Sequence, residues 1–261
     1  MKNVIIAIDF SETSLNAARY AAAMLNGQSA ANIILYNMFD KMDEAEVATE
    51  YLESLKKEFK EKGVPNVEII RERGTHLVEC LDRLAFQKAA TLIVMGINGK
   101  RSAISLTLVG SNPLRLAEKN ICPVLIIPPD ARFNSVDNIA FTCDFKDVDA
   151  MPLLFIKSML DFFKAKPHVI NVNSEHYISV NEHYTQAEDK INLMFEGYDP
   201  DYYFMHWHSL HEAINQFAED NSIDMLLVIP KYHSFISRTL NHSHTKELVY
   251  HSTVPILVIH E

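Results

Sequence analysis

The sequence predicts an α/β chain made of two doubly wound, parallel, five-stranded sheets, and three observations carry that expectation. At 261 residues the chain is too long for one ordinary domain and suits two of about 130. Short runs that are apolar throughout alternate with longer helical stretches, the pattern of a parallel sheet covered on both faces. That pattern then occurs a second time. Ile6-Ala7-Ile8-Asp9-Phe10 returns as Ala140-Phe141-Thr142-Cys143-Asp144-Phe145, with Asp9 and Asp144 135 positions apart. Thr91–Gly96 returns as Met225–Pro230 at an offset of 134, and Cys122–Ile127 as Val254–Ile259 at 132. Pro128-Pro129 followed by polar residues marks the boundary, so the expected domains are 1–130 and 135–261.

In the first half the expected elements follow in order. Val4–Ile8 is a strand because its apolar run meets an acid, Asp9, at once; a signal-peptide core would run longer. Ser14–Leu25 is an alanine-rich helix and Asn32–Met38 a second strand. Glu44–Lys62 is a long helix whose Glu50, Glu53, Lys56, Lys57 and Lys60 read as a solvated face supported by charge pairs. Val67–Arg71 is a third strand, Thr75–Lys88 a helix and Thr91–Gly96 a fourth strand. Asn112–Lys119 is a helix and Val124–Ile127 the fifth strand. In such folds ligands sit at the carboxyl ends of strands where the strand order reverses. That directs attention to Asp9 and to the loop that begins at Gly96.

Composition narrows the function classes. No apolar stretch approaches the roughly 18 to 20 residues that a membrane span requires. Cys80, Cys122 and Cys143 make neither a disulfide framework nor a metal-binding pair, so a cytoplasmic location is expected. Residues 1–134 carry 16 Lys+Arg and 16 Asp+Glu; residues 135–261 carry 8 and 18. The net charge of −10 thus belongs to the second half, which disfavours nucleic acid and anionic lipid as partners and makes the first half the better host for a polyphosphate.

The loop after the fourth strand reads Gly96-Ile97-Asn98-Gly99, ten residues, then Gly110-Ser111-Asn112. Glycines let a backbone approach a phosphate closely, and free N–H groups at a helix start favour an anion. The spacing is not that of a Walker A loop, and a Rossmann fingerprint would follow the first strand instead.

With these residues the chain resembles the universal stress protein family, in a tandem arrangement covering nearly its whole length. ATP-binding members of that family carry Gly-x2-Gly-x9-Gly-Ser/Thr after the fourth strand and an aspartate closing the first; here ten residues, not nine, separate Gly99 from Gly110. The resemblance implies the adenine nucleotide alpha hydrolase-like fold. It also implies that fifth strands pair edge to edge, making an intramolecular pseudo-dimer. The implied ligand is an adenine nucleotide, ATP with or without magnesium, bound as a regulator in a stress response. Asp9 would contact the ribose or adenine edge and Met38 the base. Gly96 and Gly99 would admit the phosphates, and Gly110, Ser111 and Asn112 would bind them. An unidentified protein partner is implied as reader of the bound state, and a homodimer stays open.

In the second half Pro230-Lys231-Tyr232-His233 stands where Gly96–Gly99 stood, and Asn241-His242-Ser243-His244 replaces the Gly110 region. Proline removes an N–H donor and side chains fill the space of phosphates, so this copy is expected to be a structural mate with a degenerate loop. Eleven of twelve histidines fall after residue 134, including His206, His208, His211, His233, His242 and His244. No cysteine or carboxylate completes a metal set by spacing, and no metal is expected. A hydrolase reading has Ser11, Ser111 and His76 to draw on but no nucleophile elbow, so no catalytic residue is nominated and a weak ATPase is the most that is expected. The rival to nucleotide binding is a structural or chaperone-like scaffold and, behind it, an enzyme, either a slow ATPase or a metal-dependent hydrolase built on the histidines.

Overall fold

The computed structural model describes residues 1–40, 45–97, 112–143, 148–172, 182–205, 210–229 and 248–259. The chain forms two units, Met1–Asn134 and Ser135–Glu261. The first runs β1 (Asn3–Ala7), α1 (Glu12–Met24), β2 (Asn32–Phe39), α2 (Ala45–Glu61), β3 (Val67–Arg73), α3 (Leu77–Gln87), β4 (Leu92–Gly96), α4 (Asn112–Ala117) and β5 (Val124–Ile127). Its strands are parallel in the order β3-β2-β1-β4-β5, so the order reverses between β1 and β4.

Why these segments take these places follows from burial. Val4, Ile5, Ile6, Ile33, Leu35 and Val94 are fully buried, as strands covered on both faces must be. On α1, Ala17, Ala18, Ala21 and Ala22 are fully buried, and such small side chains let a helix lie close to a sheet. The helix starts two residues before the expected Ser14 because Ser11 caps it, its Oγ accepting from the Ser14 N–H at 3.2 Å. α2 buries Leu52, Leu55 and Phe59 and turns its charges outward, where Lys62–Glu58 (2.7 Å) and Lys57–Glu61 (3.9 Å) pair one turn apart. The third helix begins at Leu77 rather than Thr75.

The second unit repeats this plan with β6 (Asn138–Thr142), a 3-10 turn at Val148–Ala150, α5 (Leu153–Phe163), β7 (Lys166–Val172), α6 (Glu182–Met194), β8 (Asp201–Met205), α7 (Leu210–Asp220), β9 (Met225–Val228) and β10 (Ile256–Val258). Its parallel order is β8-β7-β6-β9-β10. The likeness extends to side chains. Asn3 Nδ2 donates to the Lys88 carbonyl at 2.6 Å, tying the start of β1 to the turn after α3; Asn138 Nδ2 does the same to Ser222 at 3.2 Å. At the other end of the sheet, Asn37 Nδ2 donates to the Ile8 carbonyl and Asn171 Nδ2 to the Cys143 carbonyl, each at 2.9 Å. The copies diverge around that second amide. In the first unit Arg71, opposite Asn37 on β3, donates Nε–H to Asn37 Oδ1 at 3.2 Å. Phe204 stands opposite Asn171, and Asn171 Oδ1 has no hydrogen-bond partner among the described residues.

His168 on β7 is expected to make the second unit sensitive to acid. Asn138 Nδ2 is a donor to Ser222, so Asn138 Oδ1 accepts from His168 Nε2 at 3.0 Å and the proton sits on Nε2. The ring stacks on Tyr203 at 5.8 Å, and Nδ1 lies buried, 3.9 Å from Asp201, which is itself paired with Lys166 at 2.7 Å. Burial holds the imidazole below its ordinary value; Asp201 opposes that and Lys166 adds to it. A depressed folded pKa means that the unfolded chain takes up the proton first as pH falls. The contribution of neutral His168 is therefore complete above about pH 6.5 and declines below it. The urea midpoint of the second unit, followed by its single tryptophan Trp207, is expected to fall between pH 7 and 5. In His168→Gln that decline should be shallower; an unchanged slope would remove His168 as its cause.

Candidate functional site

A cleft of about 300 Å³ opens at the carboxyl ends of β1 and β4, where the strand order reverses. Asp9, Met38, Gly96 and Asn112 all line it, together with His76 and Arg115. These come from the β1–α1 turn, the end of β2, the end of β4 and the start of α4, with His76 just before α3. Of the residues expected from sequence, Gly99, Gly110 and Ser111 lie outside the described residues, as do Asp144 and residues 230–244 of the second unit.

The β1–α1 turn is held by its own side chains. Asp9 Oδ1 accepts from the Ser11 N–H at 3.0 Å and from Ser11 Oγ at 2.5 Å, and the Asp9 N–H reaches Ser14 Oγ at 3.3 Å. Between them Phe10 takes φ 63°, a left-handed conformation that costs an aromatic residue on the order of 1–2 kcal/mol. Its ring packs edge-on against Tyr51 at 5.5 Å, which with the Asp9 bonds fixes the turn. Asp9 therefore orders the turn and also faces the cleft. Ser11, singled out with His76 as hydrolase material, lines the same cleft; its hydroxyl is engaged with Asp9 and with the cap of α1.

Gly96 has a packing reason for being glycine. A Cβ there would lie 2.3 Å from the Thr13 carbonyl oxygen and 2.5 Å from its carbon, because the first turn of α1 crosses directly over the end of β4. Met38 is backed by the β3–α3 turn: a Cβ on Gly74 would be 3.3 Å from Met38 Sδ and 3.4 Å from Cys80 Sγ. Beneath this wall Glu72 accepts from the Tyr36 hydroxyl at 3.1 Å and from the Cys80 thiol at 3.6 Å, and pairs with Arg83. Burial, reinforced by Cys80 and Glu72, pushes the Tyr36 phenol far up, so it stays a donor at any ordinary pH. Thr13, Ser14, Glu79 and Arg115 line the cleft without having been singled out from sequence. Arg115 sits one helical turn after Asn112, a spacing that sequence alone displays. Among the described residues no three His, Cys, Asp or Glu side chains come together to hold a metal; His206, His208, His233, His242 and His244 lie outside them. Among the described residues no helix is long and apolar enough to cross a membrane.

Comparison with known proteins gives a consistent result. The model of the Universal stress protein family matches residues 1–128 and 174–260. A universal stress protein of Synechocystis is 22% identical over 206 residues, 79% of this chain and 69% of the relative. Among solved structures, a universal stress protein from Archaeoglobus fulgidus superposes with a TM-score of 0.73 at 17% identity, covering 99% of this chain and 96% of its own. A putative universal stress protein from Pseudomonas aeruginosa gives 0.71 at 15% identity, covering 100% and 93%. At these identities the structures establish a shared fold over the whole length.

Proposed function

The chain belongs to the universal stress protein family, and from that premise we propose that its first unit binds an adenine nucleotide, ATP with or without magnesium, as a regulatory ligand. The observation that supports this reading is the convergence of Asp9, Met38, Gly96 and Asn112, spread over 103 positions, on one cleft at the reversal of strand order. Met38 offers an apolar surface for the base and Asp9 an acceptor for a ribose hydroxyl. Gly99, Gly110 and Ser111 are proposed to complete the phosphate side. The second unit, with Pro230 and the Asn241–His244 stretch in place of those glycines, is proposed as a structural mate. Its acidic balance suits that division of labour. The proposed setting is the cytoplasm, where a protein partner would read the liganded state.

One specific observation favours the rival scaffold. Asp9 and Gly96 each have a sufficient local reason, turn ordering for the first and the approach of Thr13 for the second, so neither requires a ligand.

Calorimetric titration of ATP and magnesium into the full chain separates the two. Binding is expected at one site per chain, with unfolding stabilised by about 2.7 kcal/mol at a ligand concentration of 100 times Kd. Met38→Trp, which fills the cleft with an indole, is expected to weaken binding at least tenfold while unfolding in urea much as the parent does. No heat and no thermal shift at millimolar ATP would leave the scaffold reading.

A further inference from the structure

An ion pair sits inside the cleft. Arg115 Nη2 lies 3.5 Å from Glu79 Oε1, and both residues are lining residues. Among the described lining residues Arg115 is the one permanent cation, set against two carboxylates, Asp9 and Glu79. The backbone of α4 offers an anion little: the helix has six residues, and Pro113 in its first turn has no N–H. Arg115 is therefore the one permanently charged donor that an anion meets in the described part of the cleft, and it already faces a carboxylate.

That existing contact is weak. The two side chains are 55% and 49% exposed, and 3.5 Å is long for a charge-assisted hydrogen bond. Pairs of this kind shift an equilibrium only a few-fold. A phosphoryl group presents two oxygens to the planar guanidinium fork and makes the stronger, two-point bond. Exchange of partners is thus favourable, but it leaves Glu79 beside new negative charge.

We propose that Arg115 is the cationic side chain that binds the phosphoryl group beside the glycine loop, that the phosphoryl group of a nucleotide displaces Glu79 from it, and that Glu79 is the built-in competitor which lowers affinity for phosphorylated relative to unphosphorylated nucleosides. This assignment rests on the nucleotide reading of the cleft given above. It makes Glu79 a specificity residue without contact to the base or sugar.

The test is titration of the full chain and three variants with adenosine, AMP and ATP at fixed ionic strength. Arg115→Met is expected to weaken AMP and ATP at least tenfold and to leave adenosine unchanged. Arg115→Lys should recover part of that loss, since it keeps the charge without the fork. Glu79→Gln should tighten AMP and ATP about threefold to tenfold, again with adenosine unchanged. Thermal unfolding of each variant without ligand checks that the exposed substitutions leave the fold intact. Wild-type affinity for AMP and ATP in Arg115→Met would overturn the assignment while the nucleotide reading stands. Unaltered nucleotide affinity in Glu79→Gln would overturn the competitor role. A parent chain that binds none of the three compounds would overturn the nucleotide reading and this assignment with it.

Discussion

Gly96→Ala is expected to destabilise the first unit by about 3 kcal/mol, at the upper end of what overpacking usually costs. The added methyl would stand 2.3 Å from the Thr13 carbonyl oxygen, a backbone atom that cannot swing aside as a side chain would. Thr13 sits in the first turn of α1, where Ser11 caps the helix and Asp9 holds Ser11. The buried face of that helix, Ala17, Ala18, Ala21 and Ala22, lies against the sheet, so retreat of the turn means repacking the helix. A second substitution separates this steric effect from the general effect of losing a glycine. Gly27 has φ +78° with nothing within 4 Å of a built Cβ, so Gly27→Ala meets only conformational strain, about 1 kcal/mol. Urea unfolding with amide exchange in β1 and β4 measures both. Equal losses in the two variants would mean that α1 and β4 do not approach as closely as described.

The second large effect is expected at Asn37. In Asn37→Ala the buried Ile8 carbonyl loses its donor and Arg71 Nε–H loses its acceptor, so one neutral and one charged group are left behind. The expected loss is about 2–3 kcal/mol. Asn171→Ala deletes the corresponding amide of the second unit, but only the bond to the Cys143 carbonyl disappears, and a buried oxygen without a partner among the described residues goes with it. About 1 kcal/mol or less is expected there. The inequality between two geometrically matched amides is the informative quantity. Matched losses would show that the Arg71 bond contributes nothing.

Much of this architecture was legible in the sequence for a simple reason: strands buried on both faces have no polar side to interrupt them. Val4–Ile6, Leu92–Val94 and Val124–Ile127 announce themselves as apolar runs, and their recurrence exposed the duplication. Asn37 was also visible as a polar residue inside the apolar run of β2, a signal that buried amides leave and that went unread. Helix starts were less legible because they depend on which hydroxyl caps: Ser11 captures Ser14 and moves the start of α1 upstream. The site residues had a different status. Asp9, Gly96 and Asn112 were reached from the expected topology and its glycine loop and Met38 only from resemblance to a family, and no local property of the sequence says that they meet. The approach of Thr13 to Gly96 is a tertiary distance that no spacing encodes. Arg115 and Glu79 stand on two separate helices without a motif around them, and only the packing of α3 beside α4 brings them to one cleft.

The three cysteines acquire a practical meaning from their surroundings. All are free thiols; Cys80 and Cys143 are buried, one in each unit, and the Cys122 thiol is pushed up to about 12, chiefly by burial and further by Asp82. Thiolate is the reactive form and burial shields Cys80 and Cys143, so slow modification by maleimides near neutral pH is the expected behaviour of the native chain. Labelling then reports excursions from the native state rather than the native state itself. Because Cys80 belongs to the first unit and Cys143 to the second, their separate modification rates resolve which unit opens, with no engineered probe.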